Sequence, residues 1–250
     1  MAKLMVVAAF ALAFAPAADE DLDKAAAKAA EMGNYSCTIT VKMEGGGGGG
    51  GEGRGIQPVE LQVRSDAPWH LKSGELEAFK KGETLAVKEG EGWKKLERPQ
   101  RPAEGERPDP KAMAAQMLRG LRAPHEILKD LKSASFKEVK REDSEGGRCF
   151  SGELTAEALK PFLMGGRRRG GGGGGDQAAP QATGTAKIWV NGDGAVTKYE
   201  VNVEAKRKNR DGDEVTTKST RTVEIKDVGS TKYEVPADAA KIFEAKTVEK

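Results

Sequence analysis

Residues 183–236 read TGTAKIWVNGDGAVTKYEVNVEAKRKNRDGDEVTTKSTRTVEIKDVGSTKYEVP. Two turn signals, Asn191-Gly192-Asp193-Gly194 and the tip from Asn209 to Asp213, cut this stretch into three strands. Asn-Gly and Asp-Gly supply the positive φ that tight hairpins require. Between the turns, Ala195, Thr197, Tyr199, Val201, Val203 and Ala205 alternate with Val196, Lys198, Glu200, Asn202 and Glu204. After the tip, Val215, Thr217, Ser219, Arg221, Val223 and Ile225 alternate with Thr216, Lys218, Thr220, Thr222 and Glu224. A period of two held over about ten residues predicts long antiparallel strands with one protected and one wetted face. Arg221 breaks the protected set. A cation in an apolar register suits a ligand headgroup or a lid residue, or simply an exit to solvent near the sheet edge.

Working outward, the same alternation returns at the other end of the chain. Tyr35, Cys37, Ile39, Val41 and Met43 alternate with polar residues, and Val59, Leu61 and Val63 continue the pattern on a second strand. Short strands follow around Trp69–Leu71, Leu76–Phe79, Leu85–Val87 and Gly92–Trp93, spaced by small turns as in a β-meander. Trp69 and Trp93 are candidates to line a cavity, with ordinary core packing as the simpler account. Residues 98–110 hold four prolines among charges and predict an exposed connection. From Lys111 to Leu131 the period changes. Met113, Met117, Leu118 and Leu121 mark one helical face, and Ile127, Leu128 and Leu131 mark another after Pro124. Strands are expected again at Ser135–Arg141 and Arg148–Leu154, followed by a short helix from Thr155. Upstream of everything, Asp19–Met32 is an alanine-rich helix stopped by Gly33, suited to packing on the sheet edge.

Seventeen of the 32 glycines lie in two tracts, residues 45–55 and 165–176, so they belong to loops inserted in the sheet and not to domain boundaries. Such tracts behave as flexible coil. Neither carries the Lys-Ser/Thr of a phosphate-binding loop. Arg167-Arg168-Arg169 amid glycine fits an RNA-binding segment or a contact with an anionic membrane surface. An export signal argues against RNA, and a solvated loop explains the triplet as well.

That signal is residues 1–17. Lys3 charges its start, Leu4–Ala15 is apolar, and Ala15-Pro16-Ala17 presents small residues for cleavage. Residues 18–250 then form one domain, exported to the periplasm or beyond. Net charge +2 with 32% charged and 5% aromatic residues is a soluble composition that makes no demand for nucleic acid. In an exported protein Cys37 and Cys149 are permitted a disulfide, and two separately buried thiols fit the sequence equally well. Two cysteines and two isolated histidines, His70 and His125, lack metal-ligand spacing or a nucleophile partner. No metal, no cofactor and no enzymatic chemistry is expected.

The element order resembles the LolA/LppX-type lipoprotein-carrier superfamily of LolA-, LprG- and RseB-like exported proteins. The residues that carry the resemblance are Asn34-Tyr35-Ser36, Gly92-Trp93, Gly147–Phe150, Gly184–Gly194, Lys198–Val201 and Val228–Pro236. It extends from about Asp19 to Ala245 and rests on strand and turn patterns. It implies a mainly β (α+β) fold, a strongly curved, half-open antiparallel barrel with short helices on its concave face. It also implies a non-enzymatic carrier or binding protein for a lipid or lipoprotein acyl chain. The alternative is an envelope protein-interaction or stress-sensor module built on the same sheet without a lipid. The cavity candidates are Ile39, Val41, Met43, Val59, Leu61, Val63, Met113, Met117, Leu121, Tyr199, Val201, Val203, Val223 and Ile225. The implied partners are a lipid or lipidated protein, an envelope protein, and a membrane touched peripherally.

Overall fold

The structure, a computed structural model, describes residues 15–45, 56–97, 114, 117–144, 146–163, 181–208 and 213–244. Most of the expected export signal, both glycine tracts beyond Gly45, the proline-rich connection, Met113 and Arg167–Arg169 lie outside the described residues.

Eleven strands form one sheet. They are β1 (Asn34–Gly45), β2 (Ile56–Arg64), β3 (Trp69–Ser73), β4 (Leu76–Lys81), β5 (Thr84–Glu89) and β6 (Gly92–Lys95), then β7 (Lys140–Ser144), β8 (Gly147–Glu153), β9 (Gln181–Asn191), β10 (Val196–Lys208) and β11 (Glu214–Lys226). Their order across the sheet is β6-β5-β4-β3-β2-β1-β11-β10-β9-β8-β7. Every neighbouring pair is antiparallel and consecutive in the chain except β1 and β11, which join the first strand to the last. The edges β6 and β7 do not pair with each other, so the barrel stays open.

Register explains the core. Val59, Ile39, Val223, Tyr199, Ile188 and Phe150 are matched across six adjacent strands, and all are buried. A parallel row runs through Val87, Ala78, Leu71, Leu61, Cys37 and Ile225. Each large apolar side chain so buried contributes about 1.5–3 kcal/mol. One cluster takes in both rows and also Leu22, Leu128 and Leu159 from the helices. The sheet curls around it.

Helices with described bounds are α1 (Ala15–Ala30), α2 (Pro124–Asp130), α3 (Ala156–Leu159) and α4 (Ala237–Glu244), and residues 117–119 are helical as well. α1 does more than pack on the edge. Its Leu22, Ala25 and Ala29 enter the main core, since alanine lets a helix lie close to the sheet. Asp21 on the same helix reaches the edge and pairs with Arg141 of β7 at 2.9 Å and Arg148 of β8 at 2.8 Å. Pro124 starts α2, where a missing N–H costs nothing. α4 lies on the opposite face. There Ala239, Ile242 and Phe243 join Phe79, Ala86, Trp93, Tyr233 and Val235 in a second, smaller cluster.

Two expectations are corrected, and one alternative is decided. The alternation expected from Ala195 through Thr197 fails at its start, because a bulge between Val196 and Lys198 turns Val196 into the core and Thr197 out. The strand expected at Ser135–Arg141 begins only at Lys140, since residues 133–135 form a 3-10 turn and Phe136 makes a single bridge to Leu154. The Cys37–Cys149 disulfide does not form. Both thiols are free and buried, with Cys37 on the inner face of β1 and Cys149 beside Trp189 on the outer face of β8. Four strand steps separate β1 from β8, roughly 19 Å at the usual spacing.

Candidate functional site

The inner face is built by alternation. Ile39, Val59, Leu61, Val63, Tyr199, Val201, Val203, Val223 and Ile225 all point into the core and are buried, together with Leu121 from the helical insertion. Val41 and Met43 lie on the same face further along β1 and are half-buried. Met117 does not join them. It is 40% exposed. The expected set is therefore one continuous wall on the sheet, and the structure leaves Met117 outside it.

Short helices cover that wall. The Tyr35 hydroxyl accepts a hydrogen bond from the His125 backbone N–H at 3.4 Å and pairs with His125 Nδ1 at 2.7 Å, donating to it when the imidazole carries its proton on Nε2, and so fastens the start of α2 to β1. Trp69 meets the same imidazole edge-on at 6.2 Å. Lys80 lies over the other side of that indole, 5.2 Å from its ring centre, and donates to the Leu121 carbonyl. Burial pushes the His125 and Lys80 pKa values down and those of Tyr35 and Tyr199 up. Cys37 is pushed up to about 12 for the same reason, so its thiol is unreactive near neutral pH. Burial on the inner face thus favours the neutral forms of Tyr35, Cys37, His125 and Tyr199.

Between α2 and α3 the cover is incomplete. A groove of about 320 Å³ opens there, floored by Ile127, Leu131, Ala158 and Phe162, with Arg122 and Asp130 at its rim. Ile127, Leu131 and Phe162 belong to the main core, so the groove looks directly onto it. Arg122 is held by the Glu126 carbonyl at 3.0 Å and the Asp130 carboxylate at 2.7 Å. The absence of a side chain at Gly184 of β9 lets α3 come close. A Cβ on Gly184 would sit 2.5 Å from Leu159 and 2.7 Å from the Asn202 carbonyl.

The outer face differs in kind. A hollow of about 450 Å³ there is lined by Lys42, Glu44, Asn202, Glu204, Lys218 and Thr220 among others, a mixed polar surface unsuited to an apolar chain. His70 lies on that face between Gln62 at 2.7 Å and Glu77 at 2.9 Å, stacked on Phe79, which explains it structurally. Trp93 packs beside Phe79 at 5.0 Å, on the other side of the sheet from Trp69, so the two indoles do not share a cavity. Among the described residues no group of three His, Cys, Asp or Glu side chains is placed to hold a metal.

Sequence reasoning passed over Phe162, Ala158 and Arg122 as site residues and the Tyr35–His125 clasp. Ile127 and Leu131 were readable as a helical face, but nothing in the sequence says that α3 stands opposite that face.

No family model matches this chain, and no curated protein matches it. Among solved structures, LprF from Mycobacterium bovis is similar over 90% of this chain and 98% of its own, at 11% identity and a TM-score of 0.46. A LolA superfamily protein from Nitrosomonas europaea is similar over 92% and 96%, at 10% identity and a TM-score of 0.30. A DUF1329 family protein from Desulfovibrio piger follows at 13% identity and 0.24, over 87% and 95%. At such distances no residue role is carried across. The architecture itself, an unclosed eleven-stranded antiparallel sheet with helices on its inner face, is the mainly β, half-open antiparallel form expected from the sequence.

Proposed function

We propose that this protein is an exported, non-catalytic carrier that holds an acyl chain of a lipid or lipidated protein against the inner face of its sheet. The observation that supports this is the groove between α2 and α3, an apolar opening onto the main core between two short helices. Its volume falls in the usual range for small-molecule sites, about 300–1,000 Å³. Residues Ile39, Val41, Met43, Val59, Leu61, Val63, Val201, Val203, Val223 and Ile225 would receive the chain as the helices shift, with burial worth roughly 25 cal/mol per Å² of apolar surface. Export rests on residues 1–17, and no helix among the described residues is long and apolar enough to cross a membrane.

The test is direct. Protein recovered from the envelope of an expressing bacterium is extracted with organic solvent, and the extract and the protein N-terminus are read by mass spectrometry. Stoichiometric lipid and a start at Ala18 are expected. Protein free of lipid that also refuses a fluorescent fatty acid overturns the carrier reading. A second reading is favoured by the burial of the expected wall in one core with residues of α1 and α2. In that reading the sheet is an envelope protein-interaction or sensor module, and its partner would be recovered stoichiometrically after delipidation.

A further inference from the structure

Arg221 is the one charged side chain in the inward register of β11, matched with Val41 on one side and Val201 on the other. It is half-buried, and among the described residues it makes no hydrogen bond and no ion pair. A guanidinium on an apolar wall without a counter-charge is costly unless something anionic joins it. Its neighbour is Tyr199, which faces Val223 and so stands diagonally across from Arg221 on the same face. The Tyr199 hydroxyl is fully buried and has no hydrogen-bond partner. A buried donor left unpaired costs about 1–3 kcal/mol. The inner wall therefore carries, between Val41 and Val201, one unpaired cation with an idle donor diagonal to it.

We propose that Arg221 and the Tyr199 hydroxyl bind the oxyanion head of an amphiphile whose chain lies along the inner wall beside Val41 and Val201, either a fatty-acid carboxylate or a lipid phosphate. This rests on the carrier reading and adds the ligand's charge to it. Arg221 and Tyr199 donate to the anion, and no proton changes hands.

The probe is cis-parinaric acid, a fluorescent fatty acid, set against its methyl ester, which has the same chain without the charge. Wild-type protein is expected to bind the acid on the order of tenfold more tightly than the ester, the worth of one charge-assisted hydrogen bond. R221Q should erase that preference and leave ester binding unchanged, while R221K should keep most of it. Y199F provides a second variant that folds, since it deletes an unpaired buried hydroxyl and nothing else. It should raise thermal stability and lower acid binding. Competition by lysophosphatidic acid stronger than that by a fatty acid assigns the head to phosphate, and the reverse assigns it to carboxylate. Displacement by inorganic phosphate alone overturns the inference, because the site would then be indifferent to the chain. Equal binding of acid and ester by wild type, or an unchanged ratio in R221Q, overturns it too and leaves the carrier reading standing. Binding of neither probe removes the carrier reading, and this inference with it.

Discussion

The Tyr35–His125 contact makes the attachment of α2 to the sheet sensitive to pH. As an acceptor, Nδ1 needs the neutral imidazole, and burial already holds the His125 pKa below its usual 6.5. Protonation turns Nδ1 into a donor and strands the hydroxyl proton of Tyr35. The sign follows from linkage. The unfolded chain takes up this proton first as pH falls, so the stabilisation is complete above pH 6.5 and is lost as the pH descends from there through the folded value. His70, also depressed by burial, acts in the same direction. Thermal unfolding between pH 7.5 and 5.5 should show a falling melting temperature in wild type and a shallower fall in H125Q, whose amide oxygen still accepts from Tyr35 without titrating. Parallel slopes would show that His125 does not couple α2 to pH.

At the scale of elements, α4 is a separate clamp. Its Ala239, Ile242 and Phe243 cover Phe79 and Ala86 on the outer face of β4 and β5, while Tyr233 is tied to the Pro68 carbonyl at 2.8 Å. A chain ending at Pro236 should lose about 2–4 kcal/mol from re-exposed apolar surface, and its melting temperature should fall by about 5–15 °C. Trp93 emission should shift to the red. Unchanged melting and emission would mean that α4 is a passive tail. The helix was legible in principle, since positions 239, 242 and 243 have helical spacing, yet eight residues carry little periodic signal. The long strands of β1, β10 and β11 were legible because alternation is dictated by one buried face. What alternation cannot show is a bulge. At Val196 the extra residue shifts the register locally, and the sequence gives a valine and a threonine that both suit a strand. Nor does it show partners across the sheet, which is why Cys37 and Cys149 stayed undecided until their faces and strand positions were known. Arg221 was visible as an exception, but the unpaired Tyr199 hydroxyl beside it was not.

At the scale of the molecule, the pairing of Ser36 with Lys226 joins the first strand of the chain to its last and makes folding of the sheet depend on contacts remote in sequence. One core spans the sheet from β1 to β5 and from β8 to β11, so unfolding by circular dichroism should be a single cooperative transition. Within that unit the parts are unequal in their freedom to open. The β1–β11–β10–β9 ladders are long and internal, whereas α2 has seven residues and α3 four. Helices so short have little stability of their own and are held by side-chain packing. Local opening should therefore start at α2 and α3, the two elements that flank the groove. Hydrogen exchange of the unliganded protein is expected to show Leu128, Leu131 and Leu159 amides exchanging far faster than those of Tyr199, Val201 and Val223. Adding saturating cis-parinaric acid should slow exchange at α2 and α3 while leaving the central ladders unchanged, because a chain in the groove can only stabilise the elements it touches. Protection gained instead at α4 and β4–β6 would place the apolar ligand on the outer cluster and move the site to the other side of the sheet.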